Sequence, residues 1–474
     1  MKRSNLWRLA AIVTTCLVAA LEPAAAQKNK KQSSLSPELR VPLVSERWEG
    51  TPTGVEFVQH KTVPSMKLSG KERIILKDYA FGDGTIEYDV EPLSDGFAGI
   101  YFHMANSDET EYLYLRTARA GNPVAMDAIQ YAPYNKGVLL WDMYYWFQGP
   151  ARIKKDDWNH IKIIISGAQM IVHVNDLTTT TLEIPQLEGN HKTGLIAFDG
   201  KCVVANVVIK PGVTEGLSAR AGFDPTHHDP RYIRSWQVSK PFELPRGKEL
   251  VDADFPTNAT EWLTFVAERR GMINLTREYG NSTNRRYVWM RAKIHSPSAK
   301  KVSMSLGFSD DVWVYVNRGP VFVDRNDYRS AAMRKKPDGR LSTDNAHFEI
   351  PLKEGDNELL IGLANDFFGW GIIALLEDVD GLTISSDFPR PPDTPKDLSK
   401  YTGTYKSAEF PDIILTAENN VLMGKNPGQA SIALEYFDTD KFRYMPADIV
   451  VEFHLNEGKF VLKQGGREST FVKQ

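Results

Sequence analysis

The chain predicts an all-β protein: two β-sandwich (jelly-roll) domains followed by a small C-terminal antiparallel β-domain. Short runs rich in β-branched and aromatic residues, each bounded by Gly, Asp, Asn or Pro, recur along most of the chain. At 474 residues the chain exceeds the roughly 250–300 at which single cores stop growing, so several folding units are expected. Two stretches of turn-forming residues divide it into three.

The N-terminus reads as an export signal over residues 1–26. Lys2, Arg3 and Arg8 precede an apolar run from Leu9 to Leu21, which ends at Ala24-Ala25-Ala26 before Gln27. The run is too short for a membrane span of about 20 residues, and no later segment replaces it. Cys16 is preceded by Val-Thr-Thr, a poor match to a lipoprotein cleavage site. The mature chain is thus expected in the periplasm or secreted, with Cys202 as its sole cysteine and no intramolecular disulfide. Loss of three basic residues and Glu22 with the signal takes the formal charge from -3 to -5, which argues against a nucleic-acid partner.

Residues 27–42, polar and rich in Lys and Ser, read as a flexible leader. In 43–210 the alternating runs RIILKDY, GTIEYDV, AGIYFHM, EYLYLRT, HIKIIIS, MIVHVND, TGLIAF and VVANVVI are each of strand length, the signature of two facing sheets. Their order, with Trp158-Asn159 starting a strand and Asn175 at the following turn, resembles the concanavalin-like (laminin-G-like) jelly rolls of exported bacterial proteins. It is also similar to the keto-disaccharide hydrolase domain family. Residues 211–235, with GVTEG and AGFDPTHHDP, read as a linker.

The second unit, 236–386, carries YVWMRAKI, KVSMSLGF, DVWVYVNRG, the long AHFEIPLKEGDNELLIGLAND and GWGIIALLED. Phe308-Ser309-Asp310-Asp311 leading into VWVYVNRG, and the Gly-Asp-Asn turn into ELLIGLAN, resemble the galactose-binding-like sandwich of glycosidase accessory domains. That likeness speaks to fold before function. DFPRPPDTPKD, at 387–397, is a proline-stiffened linker. The third unit, 398–474, with LSKYTGTYK, FPDIILTAENNVLMGK and IVVEFHLNEGKF, resembles the small β-domain that trails exported serine hydrolases of the β-lactamase type. A Ser-x-x-Lys match at Ser298–Lys301 lies in a turn-like stretch without a partner motif and is not read as a nucleophile.

The stretch from Gly96 to Phe147 carries the candidate site. Tyr112, Tyr114, Arg116, Asp127, Gln130, Tyr131, Tyr134, Asn135, Trp141, Tyr144 and Tyr145 combine flat apolar faces with planar donors and acceptors, as sugars require. Alternation in YLYLRT puts Tyr112, Tyr114 and Arg116 on one face, opposite Leu113 and Leu115, which should point inward. An outward row of two Tyr and an Arg calls for a cover: a ligand, a neighbouring domain or the DAIQYAPYNKG loop. Stacking is assigned to Tyr131, Tyr134, Trp141 or Tyr145, and polar selection to Arg116, Asp127, Gln130 and Asn135.

Glu87 and Asp89 share a strand face but read as solvated, whereas Asp127 and Glu111 are the better acids if the chain is catalytic. No cofactor motif is present. His227-His228-Asp229 reads as linker, and Asp310 and Asp311 could bind a structural Ca2+, although a turn that starts a strand, with side chains capping N–H groups, is preferred. Whether Trp313 or its neighbours Val312 and Val314 face the interior is left open. The sequence thus points to an exported carbohydrate- or glycoconjugate-binding protein, with a glycan-processing hydrolase or lyase and a protein-interaction scaffold as alternatives.

Overall fold

The computed structural model describes residues 38–388, 395, 397–418, 421–429, 431–444, 447 and 449–474. The export signal, residues 27–37 of the leader and most of the proline-rich linker lie outside them. Among the described residues, no helix is long and apolar enough to cross a membrane.

The first unit is the expected sandwich of two facing eight-stranded sheets. In one, Gly84–Pro92 pairs with Asn159–Ser166 on one side and Cys202–Pro211 on the other. Its alternation is literal: Ile86, Tyr88 and Val90 are buried in the interlayer. Glu87 and Asp89 face outward, where Lys210 reaches Glu87 at 2.9 Å and His160 reaches Asp89 at 2.7 Å. The second sheet runs Ile129–Asn135, Thr110–Arg116, Phe97–Met104, Leu195–Gly200 in space. Ile100, Phe102, Leu113 and Leu115 enter the same core, as the alternation required. Cys202 is buried there too.

The middle unit is a sandwich of an eight-stranded and a four-stranded sheet. Arg286–Ser296 and Gly355–Asn365 pair along their whole length, and Asp311–Val316 lies beside the latter. Val312, Val314 and Val316 fill the space between the sheets, while Trp313 and Tyr315 are buried on the outer face with Trp289, Leu250 and Phe255. Both sides of this strand are therefore interior, because the chain around 244–262 lies over its second side.

Residues 211–235 are not a loose tether. Ile233 N–H donates to Ala374 and Leu376 N–H to Arg231, while Arg269 holds the carbonyls of Gly222 and Phe223. The first core also extends into the middle unit, since Met272, Leu341 and Ile373 pack within it. The C-terminal unit is a closed barrel of eight strands with its own core.

Candidate functional site

On the outer face of the second sheet, Tyr101, Tyr112 and Tyr114 form a stacked row. Tyr101 and Tyr112 lie 4.2 Å apart and Tyr112 and Tyr114 4.8 Å apart, nearly parallel. Gly99 makes the row possible: a Cβ there would sit 2.3 Å from the Tyr112 ring. Arg73 covers Tyr101 and Tyr134 at 4.2 and 4.7 Å. Asp199 accepts from the hydroxyls of Tyr101 (2.7 Å) and Tyr112 (2.9 Å). Burial raises its carboxyl, against those two hydrogen bonds.

Arg116 lies over Tyr114 at 5.2 Å and bonds to Gln130, whose oxygen also accepts from the Tyr114 hydroxyl at 2.7 Å. Tyr112, Tyr114 and Arg116 thus share a face as the alternation indicated, and the neighbouring strand brings Gln130 and Tyr134 to it. The rings of the row are spent on one another, however: Tyr112 and Tyr114 are only 4% and 2% exposed and Gln130 is fully buried, so within this cluster Arg73, Arg116, Tyr134 and Asp199 are the groups that reach the surface. Arg73, just before the strand Ile74–Leu76, and Asp199, on Leu195–Gly200, belong to this face and escape a reading of the Gly96–Phe147 stretch, because they come from outside it.

The remaining candidates are elsewhere. Tyr131 belongs to the dry interlayer core, so it is not a stacking surface. Its hydroxyl donates to Glu111 at 2.6 Å and accepts from the Glu188 N–H at 2.6 Å. Glu111 lies opposite the tyrosine row on its own strand, and Gly189 N–H donates to it at 3.0 Å. Asn135, fully buried, accepts from Arg277 at 3.2 Å when its amide is oriented to satisfy both neighbours. Arg277, from the middle unit, also bonds to Glu268 and reaches the Glu188 carbonyl at 2.8 Å, while the Tyr144 hydroxyl donates to Glu268 at 2.8 Å. The result is a buried polar seam between the first two units. Burial raises Glu111 to about 7, and burial together with the Glu268 charge raises Glu188 to about 8. One Glu188 carboxyl oxygen has no hydrogen-bond partner.

Trp141 and Tyr145 face the middle unit. Trp141 meets Tyr328 edge-on at 4.9 Å beneath Arg340, and the Tyr145 hydroxyl donates to Ser342 at 3.2 Å. Between them, Asp142 accepts from Gly369 N–H at 3.2 Å and is raised to about 7 by burial. A neighbouring domain covers these two aromatics.

Asp127 does not share a cleft with Glu111. Its carboxylate takes two hydrogen bonds of 2.9 Å from Arg119, and Arg116 binds its backbone carbonyl instead. Burial pushes the carboxyl upward, but Arg119 and the charge of Arg116 hold it below its ordinary range.

Asp310 accepts from the N–H groups of Asp366 (2.6 Å) and Phe367 (2.8 Å), and Asp311 pairs with Arg285. The N–H groups that Asp310 holds come from a distant segment and Asp311 meets a guanidinium, so neither caps a local turn. Among the described residues no cluster of three or more His, Cys, Asp or Glu is arranged to hold a metal ion. Lys301 pairs with Glu349 at 3.1 Å.

Similar solved structures include a carbohydrate-binding module, CBM66, from Bacillus subtilis (12% identity, TM-score 0.26, covering 34% of this chain and 94% of that one). Galectin LEC-6 from Caenorhabditis elegans is also 12% identical (TM-score 0.22, 34% and 98%). Domain 4 of an extracellular arabinanase from Geobacillus stearothermophilus, in complex with arabinotriose, has 12% identity (TM-score 0.24, 39% and 87%). No curated protein matches the chain. Residues 44–207 match the family described as a 3-keto-alpha-glucoside-1,2-lyase-like domain, so the first sandwich is similar to that family, in line with its expected resemblance.

Proposed function

We propose that this chain is an exported carbohydrate-binding protein and that the outer tyrosine face of its first sandwich is the recognition surface. The observation that carries the reading is the convergence of Arg73, Asp199, Arg116 and Gln130 around Tyr101, Tyr112, Tyr114 and Tyr134 on one sheet face. Planar donors and acceptors beside aromatic edges suit paired sugar hydroxyls. The match of residues 44–207 to a domain family whose description names a keto-glucoside supports the substrate class. Calorimetry of residues 27–474 against glucosides, their 3-keto derivatives and a panel of plant, algal and bacterial glycans tests it. Binding of at least one is expected, weakened roughly tenfold or more by Arg73→Ala or Asp199→Asn, the loss of a charged hydrogen bond. A correctly folded protein that binds none overturns the reading.

A second reading, glycan processing, is favoured by the match of residues 44–207 to a family whose description names a lyase, with Glu111 as the candidate acid. Product release from a 3-keto-glucoside that survives Asp127→Ala but is lost in Glu111→Gln supports it. Equal rates in all three proteins refute it.

A further inference from the structure

The C-terminal barrel is built differently at its two ends. Each strand from Gly403–Lys406 to Arg467–Lys473 pairs with the next, and the last returns to the first. At one end the turn Ser399–Tyr401 folds into the opening. Tyr401 is fully buried, its ring 4.8 Å from both Phe442 and Phe453 and its hydroxyl bonded to Asp440 at 2.5 Å. Tyr405 donates to the Tyr401 carbonyl at 3.0 Å, and Phe460 packs against Tyr405 at 4.8 Å. Aromatic side chains therefore close this end.

The other end has aliphatic side chains at the corresponding inward positions, and they leave room. A cavity of about 540 Å3 opens there, walled by Ile413, Leu415, Ile432, Leu434, Val451 and Leu462, with the stacked pair Phe460 and Phe471 beneath. Gly424 faces the space between Leu415 and Leu434, where a Cβ would lie 3.4 Å from each, so its strand adds no side chain at that level. The volume is within the roughly 300–1,000 Å3 of small-molecule sites, and eight-stranded barrels are just wide enough to be filled by side chains or to hold one small ligand.

Polarity changes at the rim. Gln464, Ser469 and Arg467 continue the inward-facing positions of the last two strands, and Lys425 joins them. Among the described residues no acidic side chain lines the cavity, and neither Lys425 nor Arg467 forms an ion pair. An apolar cup under a rim that carries Lys425 and Arg467 fits a molecule with an aliphatic tail and an anionic head.

We propose that the barrel binds one single-chain carboxylate amphiphile, tail inward against Leu434 and Leu462 and carboxylate at Arg467. Residues 27–474 titrated with dodecanoate, with displacement of cis-parinaric acid as readout, should show saturable binding of one molecule per chain. Arg467→Gln, a rim change that leaves the core intact, should weaken dodecanoate roughly tenfold while leaving dodecanol displacement unchanged. Gly424→Leu, which fills the cup, should abolish both, with circular dichroism verifying the fold. Absence of saturable binding overturns the proposal, as does an Arg467→Gln effect equal for acid and alcohol. So does partition into phosphatidylcholine–phosphatidylglycerol vesicles without uptake of the monomeric acid. None of these results bears on the tyrosine face of the first sandwich.

Discussion

Tyr131 donates to Glu111 and accepts from Glu188 N–H in the dry interior, so a single hydroxyl serves two groups of the seam. Tyr131→Phe leaves both without that partner, and we expect a loss of about 1–3 kcal/mol in urea unfolding. The neighbouring acids set a pH dependence. Glu111 is raised from 4.5 to about 7 and Glu188 to about 8, so between the ordinary range and those values the folded protein holds protons that the unfolded chain has lost. Unfolding then releases protons, and stability falls as pH rises, by at most about 1.4 kcal/mol per pH unit for each group. The melting temperature should drop from about pH 5 to about pH 8, and Glu188→Gln should make the drop shallower. An unchanged slope in that variant would contradict the assignment. Alternation in YLYLRT told which way Tyr112, Tyr114 and Arg116 face, because it is a local property of a strand. It held no sign of Arg73, Asp199, Glu188 or Arg277, which reach their partners across tens to hundreds of residues.

Residues 140–147, LWDMYYWF, show what an element does that its composition conceals. Their aromatics suggested an open wall, but the segment turns and inserts Leu140, Met143, Tyr144 and Phe147 into the core. Met143 rests on two glycines of the middle unit: a Cβ at Gly369 or Gly371 would lie 2.4 Å from its side chain. Gly369→Ala should therefore force Met143 and Asp142 aside and cost about 1–3 kcal/mol, the usual penalty of overpacking. Thermal melts of Gly369→Ala and of Gly149→Ala, where a Cβ would meet nothing nearer than 3.9 Å, make the comparison. A similar shift in both would refute the wedge. The strand Asp311–Val316 teaches the same point, since valines and aromatics on its alternate faces are all buried. Alternation assigns faces, and only a neighbouring segment decides whether a face is wet.

Across the whole molecule, the core of the first unit takes in Met272, Leu341 and Ile373 of the middle unit, whereas the barrel keeps its own. Calorimetry should resolve two transitions, and Arg277→Ala, which strips Glu268 and the Glu188 carbonyl of their partner, should lower only the one that reports the two sandwiches. A barrel transition that moves with it would show that the three units unfold as one. The sequence by itself determined the all-β class, three units, the first sandwich and the outward turn of its tyrosines, because strand periodicity and turn residues are local and survive without knowledge of neighbours. Only the tertiary structure decided that Trp141 and Tyr145 serve a domain contact, that Tyr131 and Glu111 lie in the interior, that residues 211–235 are fastened, and that the last eight strands close around a cavity. Burial, charge pairing and closure arise between segments distant in the chain, and no local pattern encodes which of them will meet.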